Sequence, residues 1–155
     1  MESMSDQPLG LTLRAIASRE PAPGAGAAAA IALALSLACA RKATSITLKH
    51  QPDHGSPDEL DARLADLAEQ ALPLADQDAE LFSASIAGDR DAAGELTAFG
   101  RTALAVAEDA REQIARAAAA IHPALRGDIV AAQALVDAAT TIFRANLIEN
   151  EAGAD

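Results

Sequence analysis

Residues 21 to 48 read PAPGAGAAAAIALALSLACARKATSITL. Pro21, Pro23, Gly24 and Gly26 lead into an apolar run that meets no charge until Arg41 and Lys42. A run apolar on every side has no solvent face, so it predicts a helix at the centre of the fold. Alanine is the strongest helix former, and Ala27 to Ala30 start the element. Pro23 suits its first turn, where a missing N–H costs nothing. Ile31, Leu33, Leu35 and Leu37 alternate with Ala or Ser, which is the period of a strand. The run is too long and too rarely branched for that assignment. It also falls short of the roughly 20 strongly apolar residues that a membrane span needs. The pattern therefore predicts a buried helix reaching about Leu48.

The flanking segments carry one-sided patterns. Leu9 to Ser18 predicts a short helix with Leu9, Leu13 and Ile16 on one side. Ser56, Pro57 and Glu59 form a helix-start signature with a capping serine and a first-turn proline. Leu60, Leu64, Leu67, Ala71 and Leu74 follow as an apolar stripe that Pro73 should kink. Continued past the kink, the stripe lands on Asp78, then Leu81 and Ser85. A reset phase would instead select Ala75, Ala79, Phe82 and Ile86. Gly88 to Asp91 breaks this helix, and a fourth runs from near Asp91 to about Ile121. Leu96, Phe99, Ala103, Val106, Ala110, Ile114 and Ala117 mark its buried side, opposite a charged face from Glu108 to Arg116. His122-Pro123 stops it. Gly127-Asp128 opens a last helix with Ala132, Leu135, Ala139, Ile142 and Asn146 on its stripe. Residues 1–8 and 151–155 are expected to be loose. The fold class is all-α: a multi-helix bundle around the Ala-rich helix, in one domain over residues 1–155.

Composition narrows the partners. Half of the 155 residues are hydrophobic, but only 2% are aromatic, so the core is built from Ala, Leu, Ile and Val. Alanine buries little area, and such a chain is expected to complete its core as a homodimer. A net charge of −11 argues against nucleic acid and anionic membranes. Cys39 is the one cysteine, which excludes an intrachain disulfide and a thiolate metal cluster. It is expected to act as a small buried hydrophobe. His50 and His54 are four apart, but Pro52 and Gly55 deny them a helix, so they read as a turn and not a metal site. The N-terminus lacks the pattern of a signal peptide, and the cytoplasm is the expected location.

Three features could carry chemistry. The Pro/Gly loop ahead of the central helix offers free N–H groups and the positive end of a helix to an anionic or carbonyl oxygen, though it also serves as an ordinary turn. Asp78 on an apolar stripe would be desolvated, raising its pKa toward general acid/base values; a partnered structural carboxylate is the alternative. Asp128 reads as an N-cap. Asn146 on the buried side needs partners from another helix or from a ligand. Asn150 reads as a fraying end.

Together these segments resemble the cyclodeaminase/cyclohydrolase family, which acts on formimino- and methenyltetrahydrofolate. That family has P-x-P-G-G-G-S before an Ala-rich helix, D-x-D-A-x-x-F after it, and a final helix opened by S-D and ended by N-V-x-x-N-L. This chain has Pro21-Ala22-Pro23-Gly24-Ala25-Gly26-Ala27, then Asp76-Gln77-Asp78-Ala79-Glu80-Leu81-Phe82, then Gly127-Asp128 and Asn146-Leu147-Ile148-Glu149-Asn150. The resemblance implies that Asp78 is catalytic. It implies that Pro23, Gly24, Ala25, Gly26 and Ala27 hold the pterin or the one-carbon unit, with Asp128 and Asn146 orienting the pterin. It also implies a folate substrate, no metal and no redox cofactor. The chain departs from the pattern at Ala25, which replaces a glycine, and at Ala27, which replaces a serine. It also lacks a Val-Pro-Leu element between Phe82 and Asp128. Those departures leave two alternatives beside an enzyme: a family member that binds folate or another small molecule without catalysis, and a helical protein made for partner contact.

Overall fold

A computed structural model describes residues 3–4, 8–50 and 57–153. It contains α1 (Leu9–Ile16), α2 (Ala25–His50), α3 (Pro57–Ala71), α4 (Pro73–Ile86), α5 (Arg90–Ala120) and α6 (Arg126–Gly153), with a 3-10 turn at Pro123–Leu125. No strand occurs among the described residues. The capping Ser56 and the turn with Pro52, His54 and Gly55 lie outside them. The structure is all-α, as the periodicity predicts.

The Ala-rich helix is the axis of the bundle: α3, α4, α5 and α6 all pack on it. Leu33 and Leu37 are fully buried there, facing a shared core with Leu64, Leu67, Ile114 and Val136. Each such side chain contributes about 1.5–3 kcal/mol by leaving water. By length and composition α2 could cross a membrane; its packing on four neighbouring helices accounts for that composition. The expectation of no solvent face is corrected. A stripe through Ile31, Leu35, Ala38 and Cys39 is open or half-open, and Leu35 is 52% exposed. Cys39 is half-buried instead of sealed in the core. α2 starts at Ala25, so Pro23 precedes it instead of standing in its first turn, and it runs past Leu48 to His50.

Proline separates α3 from α4 completely. Pro73 has no N–H to continue the α3 ladder, and it becomes the first residue of a new helix. Asp89 caps α5, its carboxylate accepting from the N–H groups of Asp91 at 3.0 Å and Ala92 at 3.2 Å. At the other end of α5 the His122 N–H donates to the buried Thr47 hydroxyl at 3.0 Å, tying the turn to the end of α2.

α6 runs antiparallel to α2. Lys42 meets Asp128, Ser36 donates to the Ala132 carbonyl at 2.6 Å, and the start of α2 meets Asn146. α6 is antiparallel to α5 as well, through Arg111–Asp137, Arg144–Glu108 and Arg101–Glu151. These exposed pairs are worth at most about 1 kcal/mol each, so packing rather than charge holds the pair of helices. Gly100 permits that packing. A Cβ there would lie 3.3 Å from the Leu147 side chain.

The ends differ from expectation. α6 continues to Gly153, and Ser3 and Met4 are tied to Asp76 by hydrogen bonds of 2.7 and 2.9 Å. α1 forms, but its Leu9 and Leu13 face solvent while Thr12 is the buried residue. The apolar side of α1 is left largely open, because a short helix that packs chiefly on α2 covers little of its own surface. Leu64→Ala should cost about 2–5 kcal/mol by emptying a sealed site. Leu72→Ala, at a position 44% exposed, should stay within about 0.5 kcal/mol. Urea midpoints of the two variants check both values.

Candidate functional site

The N-terminal end of α2 opens on a cavity of about 180 Å³. Pro21, Gly24, Ala25 and Gly26 form one wall, Asp78 and Phe82 of α4 another, and Leu96 of α5 a third. Asn146, Glu149 and Asn150 of α6 complete it. Those three fall at i, i+3 and i+4, which places them on one side of the helix. The turns of α6 that bear them are set against the glycine loop because α6 is antiparallel to α2.

Asp78 is placed by the break at Pro73. The new helix buries Leu74, Ala75 and Ala79, and Asp78 lies within that arc with Phe82 one turn beyond it. Both predicted phases are therefore partly present: Asp78 faces inward, beside Ala75 and Ala79. Its carboxylate accepts the N–H of Ala27 in the first turn of α2. That N–H has no partner within its own helix. Gly26 makes the approach possible, since a Cβ at that position would collide with the Asp78 carboxylate.

Two effects act on Asp78 in opposite directions. Burial strips water from the charged form and raises the pKa; the Ala27 N–H stabilises the charged form and lowers it. Burial is the larger, and the carboxyl is pushed up from 3.8 to about 6. A group with that value can give or take a proton near neutral pH.

The predicted site residues divide into three groups. Gly24, Ala25, Gly26, Asp78 and Asn146 line the one cavity. Ala27 sits just behind it, fully buried, and contributes its backbone N–H. Pro23 is half-buried and outside the lining. Asp128 is not brought to this place. It lies inside the first turn of α6 instead of capping it, and its carboxylate meets Lys42 Nζ at 3.0 Å. Lys42 stands seventeen residues along α2 from Ala25, about 25 Å at 1.5 Å per residue. Lys49 and His50 at the end of α2 are farther still from the cavity.

Reasoning from the sequence missed Glu149, Leu96 and Phe82 as lining residues, and it took Asn150 for a fraying end. The i, i+3, i+4 spacing of Asn146, Glu149 and Asn150 was the available signal. Among the described residues, no group of three or more His, Cys, Asp or Glu has the arrangement to hold a metal ion.

An all-α bundle with a half-buried carboxyl of raised pKa against the N-terminal end of its central helix defines the class. A family model described as formiminotransferase-cyclodeaminase matches residues 9–153, and the chain belongs to that family. The crystal structure of formiminotetrahydrofolate cyclodeaminase from Thermotoga maritima has the same fold, with a TM-score of 0.86 at 18% identity. The match covers 96% of this chain and 80% of that one. No curated protein matches the sequence.

The raised pKa of Asp78 makes a prediction about stability. Unfolded chain ionises this carboxyl near 3.8 and folded chain at about 6, so the folded state holds the proton more tightly. The stability carried by the neutral form is complete below pH 3.8 and is lost as pH rises through 6. Asp78→Asn stays neutral and escapes that loss. It should gain on the wild type as pH rises from about 4 to about 7, up to roughly 3 kcal/mol for a two-unit shift. Urea midpoints across that range decide it; parallel curves would mean that Asp78 ionises as it does in the unfolded chain.

Proposed function

We propose that this protein is a one-carbon folate enzyme of the cytoplasm, a cyclohydrolase or cyclodeaminase acting on methenyl- or formimino-tetrahydrofolate with Asp78 as its acid and base. The observation that carries the reading is the placement of Asp78. It is a half-buried carboxyl with a pKa of about 6, held by the Ala27 N–H at the edge of a cavity with amide groups on its far side. Membership of the family supports the substrate class.

The chemistry asks little else of the protein. In cyclohydrolysis, water adds to the carbon between N5 and N10, and the Asp78 carboxylate takes its proton. The tetrahedral carbon then collapses as Asp78 returns the proton to N5 and the hydroxyl proton leaves to solvent. The carbon–N5 bond breaks and the formyl group stays on N10. In cyclodeamination, N10 attacks the formimino carbon and gives its proton to Asp78, which passes it to the formimino nitrogen as the carbon–nitrogen bond breaks and ammonia leaves. Neither path involves oxidation or reduction. The N–H groups at Ala25 and Gly26 would face an oxygen or a developing charge at the positive end of α2. Asn146 would orient a polar edge of the ring system. Asp128 has no part in this reading.

A second reading, binding without turnover, is favoured by Ala25. Its methyl group lies on the cavity wall where the family pattern has a glycine, and none of the ten lining residues carries a hydroxyl.

The enzyme reading expects purified protein to speed the loss of methenyl-tetrahydrofolate absorbance. It expects kcat/KM to rise through pH 6 as Asp78 ionises, then to level. Asp78→Asn should lower the rate by about 10²–10⁴-fold. No acceleration by intact protein defeats the enzyme reading, and heat of binding with 5-formyl-tetrahydrofolate would then leave the second.

A homodimer belongs to the same reading. The apolar stripe of Ile31, Leu35, Ala38 and Cys39 is uncharged and open on the axis helix, and the leucines of α1 are exposed as well. Light scattering should give twice the chain mass for wild type and the single mass for Leu35→Glu. A monomeric wild type would remove this part of the proposal.

A further inference from the structure

The acid/base role of Asp78 leaves Glu149 without a function. Glu149 projects from α6 between Asn146 and Asn150 and lines the same cavity as Asp78. Among the described residues it has no salt-bridge partner; the neighbouring Arg101 pairs with Glu151 instead. Of the ten lining residues, only Asp78 and Glu149 can ionise, and both are acids. Among the described residues, no Lys, Arg or His reaches the cavity wall. Two apolar side chains, Phe82 and Leu96, line the same cavity, while Glu149 stands exposed at its mouth. The space is also small. At about 180 Å³ it lies below the roughly 300–1,000 Å³ that drug-sized ligands occupy. It holds one functional group with its immediate frame, and any longer ligand extends outside.

Two carboxylates outweigh the roughly half-unit positive charge at the start of α2, so this narrow, partly apolar cavity disfavours carboxylates and phosphates and gains little from a neutral amide. It suits a flat cation whose N–H groups can reach a carboxylate, because charge-assisted pairs of that geometry are about twice as strong as neutral ones. An amidinium, one carbon between two nitrogens, has that shape and charge. We infer that Glu149 is the specificity-determining residue of this cavity, selecting amidinium cations over neutral or anionic groups of the same shape. The inference rests on the one-carbon reading for the natural identity of the group. A methenyl bridge and a protonated formimino group each place one carbon between two nitrogens and carry a positive charge. Asp78 works on that carbon from the glycine-loop side, and Glu149 holds the charge from the α6 side.

Three probes of one shape test it: benzamidine as the cation, benzamide as the neutral form and benzoate as the anion. Titration calorimetry near pH 7.5 and at low salt should find benzamidine bound at least about tenfold more tightly than benzamide, with benzoate the weakest. Glu149→Gln should weaken benzamidine by about tenfold and leave benzamide unchanged, closing the gap. In turnover, the same variant should raise KM while kcat is largely kept. Equal binding of benzamidine and benzamide by wild type overturns the inference, as does a preference that survives Glu149→Gln or an absence of binding by all three. Failure of the one-carbon reading looks different. Charge-selective binding lost in Glu149→Gln, without methenyl-tetrahydrofolate turnover, sinks that reading and keeps the role of Glu149. Turnover with an unchanged preference does the reverse.

Discussion

The contact between the Asp78 carboxylate and the first turn of α2 is the constraint on which the site depends. From the side on which Asp78 approaches, a Cβ on residue 26 would overlap the carboxylate, and Gly26 supplies that space. The Ala27 N–H is available because the first N–H groups of any helix lack partners. On the other side, α4 must start afresh at Pro73 for Asp78 to fall on its inward arc. A glycine, a helix end and a proline thus act together on one side chain.

The electrostatic balance at that contact explains why the group is useful. Full solvation would leave Asp78 an ordinary carboxylate, ionised and a weak base at neutral pH. Burial with no donor would push it further toward the neutral form. The single backbone N–H offsets part of the desolvation, and the result is a group poised near 6. Asn146 and Asn150 add hydrogen-bonding capacity without adding charge. Glu149 sets the sign of the field at the mouth.

The Ala-rich helix has two roles set by the same composition. Small side chains let four helices pack closely around it, so α2 forms the core although alanine buries little area. The same small side chains leave one stripe of the helix uncovered, because the bundle has no further helix to place there. Leu35 in that stripe, with Leu9 and Leu13 on α1, is apolar surface that a lone chain leaves in water.

The helices themselves were determined locally. Period, capping residues and prolines set where α2 through α6 lie and, for α3 through α6, which side faces inward, since these depend on neighbours three or four residues apart. Asp78 and Asn146 could be singled out from the sequence for that reason: each is a polar residue at an apolar position. Periodicity assigns an angle about a helix axis, but it says nothing of which end of a neighbouring helix that angle meets. Only the antiparallel pairing of α6 with α2 decided that Asn146, Glu149 and Asn150 reach the glycine loop. The same pairing carried Asp128 to Lys42 at the opposite end. The open stripe of α2 was likewise beyond the sequence, because whether an apolar surface is covered depends on how many helices the rest of the chain can bring to it.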